Sequence, residues 1–391
     1  MREIKLKDVC SLITCGVAKR PEYVKEGIPF LSSKNVKENR FILSGYNNVS
    51  LETHLELTKN NKPEKGDILY TRVGSFGEAA VVDFDFDFSV FVSLTLIKPD
   101  TDIVDGRYLM WYLNSPKVRS IAVNSTKGIG VQNLNVSTVR EYKIPLPPLP
   151  EQKRIAAILD EADRLRQKDK QLIEKYNQLS QSVFLDMFGD PVSNPMGWEV
   201  KTMSEVCTKI TDGTHHSPEP QQTGYPYVTA KHVKPFSLEF DAKPTYVNED
   251  AHNEIYNRCK PEFGDVLYIK DGATTGIACI NTFKEPISML SSLALLKLDA
   301  NINNYFLCYW LNHEGIKNKL ISEFMSGAAI QRYTLKKINS FKLMVPETAI
   351  QDLFAERVQA IEAQKLQADQ SLVKSEELFN SLLQRAFKGE L

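Results

Sequence analysis

The sequence predicts an α+β fold: two tandem mixed α/β domains, each followed by a long α-helix, with the two helices packed as an antiparallel coiled coil of pseudo-two-fold symmetry. Three observations support this prediction. The chain repeats itself at a nearly constant spacing, each copy ends in a long run of helical periodicity, and each copy contains short strand-like segments. The predicted boundaries are domains at 1–150 and 191–346 and helices at 151–190 and 347–391.

The internal repeat fixes the order of these parts. The matching segments are 28–37 with 225–234, 66–70 with 264–268, 93–98 with 292–297, 112–114 with 310–312, and 131–132 with 330–331. Partners lie 197 to 199 residues apart in every case. This period is far too long for a solenoid repeat, so it indicates two tandem domains.

Each copy is followed by apolar residues at steps of three, four or seven, which predicts a helix with an apolar seam. The proline run at 145–150 cannot be helical, so the first helix is expected to start after it, and Gly189-Asp190-Pro191 ends it. A helix of about 38 residues is ~57 Å long. The predicted seam residues are Ile155, Ile158, Ala162, Leu165, Leu172, Tyr176, Leu179 and Val183 in the first helix, and Phe354, Val358, Ile361, Ala368, Leu372, Phe379, Leu382 and Ala386 in the second.

Two arrangements would bury these seams. Each helix could pack only on its own domain, or the two helices could pair. A seam of this length exceeds what one small domain covers, so we expect an antiparallel pair. Asp169 and Lys365 are polar interruptions within the two seams.

Within each copy, β-branched and aromatic segments bounded by Gly or Pro predict strands, for example at 67–72 and 90–97. Residues 107–114 and 304–312 read as short helices with aromatic faces. In both copies a strand ends in a basic residue and a glycine-bearing loop, at 72–77 and 270–276. Such a loop suits a phosphate, although a plain hairpin turn is the alternative.

Composition narrows the class of protein. Hydrophobic residues make up 42% of 391 residues, which is ordinary for a globular chain, and no run of ~18 apolar residues suggests a membrane span. No signal-peptide core is present, and six cysteines without C-x-x-C spacing favour a reduced, cytoplasmic location. The net charge of −1 is unlike that of many nucleic-acid-binding proteins, which are basic. The charge is unevenly distributed, however: residues 1–150 have a net charge of +3, and the two predicted helices have net charges of −1 and −3.

The sequence contains no convincing motif for catalysis or metal binding. The chain has no Asn-Pro-Pro-aromatic or Asp-Pro-Pro-aromatic motif and no nucleotide-binding P-loop. The D-x-D-x-D segment at 83–88 lacks the Gly and Glu of a calcium loop, so we expect a strand with a solvated acidic face. Glu141-Tyr142-Lys143 resembles a nuclease E-x-K motif, but the second copy lacks its carboxylate. His215 and His216 have no further metal ligands nearby.

Three segments resemble the specificity (S) subunits of type I restriction-modification systems. Ile144-Pro145-Leu146-Pro147-Pro148-Leu149-Pro150-Glu151-Gln152-Lys153-Arg154-Ile155 is similar to the family's start of a central conserved helix. Ala386-Phe387-Lys388-Gly389-Glu390-Leu391 is similar to its usual C-terminal segment, and Asp212-Gly213-Thr214-His215 resembles a segment of many target-recognition domains. The start of the second helix, at 345–351, departs from the family because it lacks the proline cluster. We therefore expect this second junction to be less rigid than the first.

The resemblance implies a non-catalytic DNA-recognition role. Each globular domain would be a target-recognition domain that reads one half of a split double-stranded DNA site. The helices would set the spacer and dock two methyltransferase subunits, and endonuclease/translocase subunits could join the complex. S-adenosylmethionine would bind the methyltransferase partner, so this chain needs no cofactor or metal. The alternatives are a nuclease or other DNA enzyme with an unrecognised site, and a coiled-coil scaffold that does not bind DNA.

Polar and basic residues on predicted loops are the candidate DNA contacts. They are Lys34, Asn35, Lys37, Arg72, Ser75 and Lys127 in the first copy, and His215, His216, Lys231, His232, Lys234, Lys270, Thr274 and Thr275 in the second. Lysines that recur in both copies are expected to hold phosphate. Specificity is expected where the copies differ, at 32–33 against 229–230 and at 38–60 against 235–257.

Overall fold

The computed structural model describes residues 3–18, 20–125, 133–325 and 332–391. The chain forms two compact units. Unit 1 comprises Met1–Lys170 with Gln370–Leu391, and unit 2 comprises Gln171–Asp369. Both boundaries fall inside long helices, so each unit contains a globular domain together with parts of both helices.

The globular part of unit 1 contains short strands and helices in alternation. The strands are β1 (Glu3–Lys5), β2 (Cys10–Cys15), β3 (Ile28–Leu31), β4 (Val36–Lys37), β5 (Arg40–Phe41), β6 (Asn47–Val49), β7 (Ile68–Thr71), β8 (Ala79–Val81), β9 (Ser89–Val90), β10 (Leu94–Pro99) and β11 (Lys143–Pro145). The helices are α1 (Leu51–Thr58), α2 (Gly106–Asn114), α3 (Pro116–Asn124) and α4 (Val136–Arg140), with 3-10 turns at Leu6–Asp8 and Ser33–Asn35. The long helix α5 (Leu149–Phe188) follows.

Unit 2 repeats this order. Its strands are β12 (Glu199–Thr202), β13 (Cys207–Asp212), β14 (Tyr225–Val228), β15 (Val233–Lys234), β16 (Ser237–Leu238), β17 (Tyr246–Val247), β18 (Val266–Ile269), β19 (Ala278–Ile280), β20 (Ser288–Met289), β21 (Leu293–Leu298) and β22 (Lys342–Val345). Its helices are α6 (Met203–Val206), α7 (Glu249–Cys259), α8 (Asn304–Asn312), α9 (Glu314–Phe324) and α10 (Leu335–Asn339), followed by the long helix α11 (Thr348–Lys388).

The sheets have the same topology in both units, which confirms the repeat. An antiparallel four-stranded sheet runs in the order β2-β10-β7-β8 in unit 1 and β13-β21-β18-β19 in unit 2. A three-stranded sheet has the order β6-β3-β9 or β17-β14-β20, with one parallel pair in each. Two-stranded sheets pair β1 with β11, β4 with β5, and their counterparts.

Local sequence explains the helices that cover these sheets. Asp105 caps α2 by accepting hydrogen bonds from the backbone N–H groups of Arg107 and Tyr108, and Asn303 caps α8 in the same way. Aromatic and other apolar residues make up most of both helices, and most of their residues are buried. The helices predicted at 107–114 and 304–312 are therefore confirmed. The strand predicted at 90–97 is divided between β9 and β10.

The long helices contribute to the core of each unit and pack against each other there. In unit 1, Ile155, Leu159 and Ala162 of α5 join Phe379 and other residues of α11 in one cluster with the globular domain. In unit 2, Phe184 and Phe188 of α5 meet Phe354 of α11, with ring centroids 5.6 and 5.3 Å apart. The two predicted arrangements therefore coexist, because each helix packs on a domain and on its partner helix.

The helix pair is antiparallel, as predicted. Within unit 1, the Arg166 guanidinium lies 3.7 Å from the Phe379 ring centroid, and Asp169 accepts hydrogen bonds from Ser375 at 2.9 Å and Ser371 at 3.2 Å. Lys170 pairs with Glu376 at 2.9 Å. Residue numbers rise along α5 while those of its partners fall along α11.

The predicted seam is wrong at three positions. Leu165, Leu172 and Leu179 are 40%, 39% and 45% exposed. A strict seven-residue step drifts about 20° per heptad around a straight helix, so these leucines turn away from the contact. Arg166 and Ser180 occupy buried positions instead.

The remaining seam positions are buried or half-buried. Those buried are Ile155, Ala162, Phe354, Val358, Ala368, Phe379 and Ala386, and those half-buried are Ile158, Tyr176, Val183, Ile361, Leu372 and Leu382.

The start of the first helix also differs from the prediction. Helix α5 begins at Leu149, so Pro150 lies in its first turn. The first turn of a helix tolerates proline because the N–H groups there have no partner within the helix.

A buried glutamine fixes each domain-to-helix junction. The Gln152 side chain accepts a hydrogen bond from the Asp105 backbone N–H at 2.8 Å and donates to the carbonyl oxygens of Pro147 and Ile103. Gln351 makes the same three bonds, to the N–H of Asn303 and the carbonyl oxygens of Pro346 and Asn301. The second junction therefore keeps the same clamp without the proline cluster.

Candidate nucleic-acid interface

Four loops meet at one end of the four-stranded sheet in each unit. We call this region the loop end, and it comprises residues 16–18, 32–35, 72–77 and 91–93 in unit 1 and residues 213–216, 229–232, 270–276 and 290–292 in unit 2. In unit 1, Val92 N–H donates to Val17 O at 2.9 Å and Ser33 N–H donates to Ser93 Oγ at 3.0 Å. The Arg72 N–H donates to Ser93 O at 2.9 Å, which ties the third loop to the same point.

Unit 2 brings its loops together through equivalent bonds. Ser291 N–H donates to Thr214 O at 2.8 Å, and Lys270 N–H donates to Ser292 O at 2.9 Å. The domain-to-helix junction lies at the other end of this sheet, where Gln351 clamps the segment before α8. The loop end is therefore free of the long helix that follows the domain.

A glycine lies at the base of each loop end because another backbone passes against it. A Cβ atom at Gly16 would lie 2.1 Å from Val90 O, and one at Gly213 would lie 1.9 Å from Met289 O. No real Cβ contact is this short, so any side chain at either position would displace the neighbouring strand. The Gly213 of the Asp212–His215 segment thus has a structural explanation.

Several sequence-predicted contacts are accessible at the loop ends. Lys34, His215, His216, Lys231 and Thr274 are exposed, and Ser75 is half-buried. Among the described residues, neither Lys34 nor Lys231 has an acidic partner. These two lysines occupy equivalent positions of the repeat, and their free ammonium groups suit phosphate.

The other recurring lysine pair lies on the hairpin that follows the loop end. Lys37 is half-buried and pairs with Glu78 at 3.3 Å. Lys234 is exposed on β15. The two positions therefore do not share one environment, although the sequence repeats them.

Asn35 and His232 are buried, so their predicted contact with DNA stays a prediction that the burial of both side chains does not favour. Asn35 Oδ1 accepts from Ser32 N–H at 3.0 Å, and its Nδ2 donates to Ile42 O. His232 occupies the equivalent position, where Nδ1 accepts from Thr229 N–H at 3.0 Å and Nε2 lies 2.9 Å from Lys243 O. Both side chains hold the turn that presents the exposed lysine before them.

Arg72 and Lys270 are also buried, so their predicted contact with phosphate stays a prediction that their burial does not favour. Arg72 Nε donates to Leu134 O at 2.8 Å and Nη1 donates to Val92 O at 3.1 Å. Lys270 is 2% exposed, and its ammonium lies 3.3 Å from Asp212 Oδ2. Each cation anchors the base of a glycine loop to neighbouring chain segments.

Thr275 and Lys127 complete the predicted set. Thr275 is buried and its hydroxyl donates to Gly272 O at 2.7 Å, so it too stabilises the loop, and its contact with DNA stays a prediction. Lys127 lies outside the described residues.

Asp212 organises the basic and imidazole groups at the unit 2 loop end. In addition to Lys270, this buried carboxylate accepts a hydrogen bond from Arg258 Nη2 at 2.9 Å, and His215 Nε2 lies 3.6 Å from it. Cys15 occupies the equivalent position in unit 1, where Arg72 uses backbone carbonyl oxygens instead. The two loop ends share a shape but differ in charge pattern.

Sequence reasoning missed one exposed cation at each loop end. Arg20 lies with its guanidinium 5.9 Å from the Phe91 ring centroid, which places it beside the 91–93 loop. Arg332 pairs with Asp271 at 3.5 Å and is 53% exposed at the side chain. Arg20 falls outside the matching segments of the repeat, and Ser217 occupies the equivalent position in the second copy. A search for cations unique to one copy would have found it.

Two acidic segments pair with lysine side chains in the structure. Residues 83–88 form a loop and not the expected strand, and Asp85 and Asp87 pair there with Lys65 and Lys62. Glu141 of the E-x-K segment pairs with Lys5 and Lys7, and hydrogen bonds from these lysines lower its carboxyl pKa to about 2.

Within the described ranges, no group of three or more His, Cys, Asp or Glu side chains is arranged to hold a metal ion. In the same ranges, no helix has the length and apolarity to cross a membrane.

The fold and the paired loop ends define a class of protein: a duplicated two-unit chain with two long helices and two separate candidate binding surfaces. The sequence matches the type I restriction modification DNA specificity domain over residues 1–175 and 195–372. The chain therefore belongs to the type I restriction-modification DNA specificity family, whose role is recognition of the DNA sequence.

Relatives match over most of the chain. A putative type I restriction enzyme MjaX specificity subunit from Methanocaldococcus jannaschii is 25% identical over 92% of this chain and 86% of the relative. The MjaIX specificity subunit of the same organism is 22% identical over 99% and 92%.

Solved structures share the fold. A type I restriction-modification S subunit from M. genitalium matches with a TM-score of 0.62 and 15% identity, covering 99% of this chain and 96% of that one. A chain from a study of complex assembly and conformational transition in the type I system matches with a TM-score of 0.54 and 16% identity, covering 100% and 98%.

Proposed function

We propose that each unit reads one half of a bipartite DNA sequence through its loop end. The observation that carries this proposal is that one framework occurs twice with different exposed side chains on it. Asn35 and His232 occupy equivalent positions and hold the same turn in the two copies. Arg20, His215 and His216, in contrast, each occur in one copy only. A repeated scaffold whose exposed polar side chains differ between the copies suits two surfaces that read different bases.

A loop graft tests the division into half-sites. The segments 16–27 and 213–224 have equal length and begin and end with glycine, so residues 214–223 can replace residues 17–26. We expect the graft to change one half of the methylated motif in cells that carry the partner methyltransferase. Methylome sequencing reads both halves of the motif at once.

The control for the graft is Asp102→Ala, an exposed position in the turn after β10 at the opposite end of the sheet. This variant should leave the motif unchanged. A change in both halves of the motif, or in neither, would contradict half-site reading by unit 1.

We infer that the helix pair sets the length of the unread spacer. Matched heptad insertions after Lys170 in α5 and after Asp369 in α11 keep the two helices in step. Seven residues add about 10.5 Å, which corresponds to roughly 3 base pairs. The methylated motif should gain a spacer of that size, and an unchanged spacer would show that the helices do not measure it.

We further propose that the long helices dock methyltransferase subunits and that this chain performs no catalytic step. Exposed apolar side chains remain on the helices, including Leu165, Leu172 and Leu366. The methyl donor S-adenosylmethionine would bind the partner, and endonuclease/translocase subunits would join the same complex in the cytoplasm. The purified chain alone should transfer no methyl group to DNA. Methylation without a partner would instead favour the alternative of an enzyme with an unrecognised site.

A further inference from the structure

Unit 2 contains an open groove between its β15–β16 hairpin and the two long helices. The groove has a volume of about 970 Å³. We call it the hairpin groove, and its walls include Phe236, Tyr305, Tyr309, Glu362, Lys365 and Leu366. The Phe236 and Tyr309 rings pack together with centroids 4.3 Å apart, so aromatic surface forms one side.

The equivalent space in unit 1 is occupied by the chain's own arginines. Arg166 Nη2 pairs with Glu38 at 2.6 Å and Nε pairs with Asp163 at 2.5 Å, while the guanidinium lies over the Phe379 ring. Arg107 pairs with Asp160 at 2.5 Å. The hairpin of unit 1 is thereby fastened to the helices by guanidinium groups between carboxylates.

The repeat alignment shows why unit 2 leaves this space open. Pro235 takes the place of Glu38, and Lys365 takes the place of Arg166. Ser180 stands where unit 1 has the Phe379 ring. The bulky ring, the guanidinium and one of its two carboxylates are therefore all missing at once.

The second carboxylate remains. Glu362 occupies the position of Asp163, and it accepts no hydrogen bond or ion pair from any described residue. Burial raises the pKa of Glu362, while nearby Lys365 acts in the opposite direction. A half-buried carboxylate beside an open space is a costly arrangement that a cation would relieve.

The charge of the lining also favours a cation. Glu174, Glu239, Glu362 and Asp369 face the groove with Lys234 and Lys365, which leaves a net charge of −2. This balance disfavours DNA phosphate at this surface and favours a positively charged group.

We propose that the hairpin groove binds an arginine side chain of a partner polypeptide, with its guanidinium against Glu362 as Arg166 lies against Asp163 in unit 1. Arginine fits better than lysine because its planar head forms paired hydrogen bonds with a carboxylate and stacks on aromatic rings. The groups that fill the same space in unit 1 are side chains of a polypeptide, which supports this source. The inference goes beyond DNA reading and does not depend on which bases are recognised.

Methyl NMR on the full chain tests the proposal. Ile280, Ile361 and Leu366 line the groove and report occupancy. The probe is acetyl-Ala-Arg-Ala-amide, compared with peptides that carry lysine or norleucine in place of arginine. We expect saturable shifts of these methyl signals with the arginine peptide, weaker binding of the lysine peptide and none of the norleucine peptide.

Variants locate the site. Glu362→Gln should weaken binding by about tenfold, since a charge-assisted bond is lost. Glu356→Gln, an exposed glutamate on the same helix, is the matched control and should bind as the unmodified chain does. The triple variant Ser180→Phe, Lys365→Arg, Pro235→Glu restores the unit 1 residues and should abolish binding by filling the groove.

Three results would overturn the proposal. They are the absence of saturable shifts with the arginine peptide, unchanged affinity in Glu362→Gln, and binding of the norleucine peptide with similar affinity. Equal or tighter binding of free L-arginine would contradict a polypeptide source. None of these results would affect the half-site proposal, which the loop graft tests separately.

Discussion

The hairpin of unit 1 and the hairpin of unit 2 occupy equivalent positions, yet among the described residues only that of unit 1 is fastened to a long helix by an ion pair. In unit 1, Glu38 and Asn39 bond to Arg166 and Asp163 of α5. In unit 2, Pro235 and Phe236 replace them, and the hairpin groove opens. Asn39 and Phe236 even share a left-handed backbone, with φ of 55° and 66°. The backbone path is thus maintained while the side chains that fill the space have diverged.

Sequence differences between the two copies can thus alter internal packing, and not only the surface that is predicted to read DNA. Residues 38–60 and 235–257 were expected to carry DNA specificity because they fail to match. The first residues of that stretch instead face the long helix in unit 1. Mismatch between the repeats therefore marks changes in internal packing, and its link to recognition stays a prediction.

The largest expected effect contrasts Arg166 with its counterpart Lys365. Arg166→Ala should lower the free energy of unfolding by about 3 kcal/mol, because Glu38 and Asp163 lose the buried cation that they share. The expected loss is at the low end for a broken buried pair, since Glu38 keeps Arg119 and Asp163 keeps Asn39 as partners. Lys365→Ala should change it by less than about 0.5 kcal/mol. Urea denaturation of the full chain measures both. Equal losses would mean that the two hairpins are fastened with equal strength.

A second test concerns what the two copies share. Gln152→Ala and Gln351→Ala should each cost about 1–3 kcal/mol, since each leaves buried backbone groups without a partner. The two losses should be similar although only the first junction is proline-rich. Gln171→Ala and Gln364→Ala, at exposed positions on the same helices, serve as controls. A much larger loss at Gln351 would show that the prolines stabilise the first junction independently.

A third test uses a histidine–serine pair present in both units. His54 Nδ1 lies 2.9 Å from Ser89 Oγ, and His252 Nδ1 lies 2.9 Å from Ser288 Oγ. Burial lowers the pKa of both imidazoles. Below pH ~6.5 the unfolded chain therefore binds protons that the folded chain does not, so the free energy of unfolding falls as the pH decreases.

The slope from this effect is at most about 1.4 kcal/mol per pH unit for each proton. His54→Gln and His252→Gln should each flatten the decline between pH 7 and 5, measured by urea denaturation at several pH values. His216→Gln, at an exposed side chain, is the control. A decline that is equally steep in all variants would assign the pH dependence to other groups.

The smallest expected effect is at the loop ends. Lys34→Ala and Lys231→Ala should each reduce the slope of log affinity against log salt by about one, because each removes one phosphate contact. Binding measured between 50 and 200 mM salt detects this change. Glu219→Ala, an exposed acidic position between β13 and β14, should leave the slope unchanged. An unaltered slope in both lysine variants would remove this pair from the interface.

The architecture was predictable because it rests on periodicity. The 197-to-199-residue spacing and the 3.6-residue pattern gave the order of domains and helices and their antiparallel pairing. Seam details were less predictable, because the seven-residue step selected Leu165 where the structure buries Arg166. A buried arginine that packs on a phenyl ring cannot be recognised from a pattern of apolar residues.

The site was predicted only in part because burial of polar residues depends on distant segments. Arg72 bonds to Leu134, 62 residues away, and Lys270 pairs with Asp212. Nothing local distinguishes such cations from Lys34, which is exposed. The positions of the loops could therefore be predicted, whereas the burial of five of the side chains assigned to them could not.

The division of the chain inside its helices has a consequence for proteolysis. Unit 1 needs residues 370–391 from the far end of the chain, and unit 2 needs residues 171–188, which precede its own globular domain. A single cut in the exposed turn around Asp190 would thus leave each fragment holding a piece that the other one requires. The nicked protein should remain one particle under native conditions and separate into two fragments only when denatured.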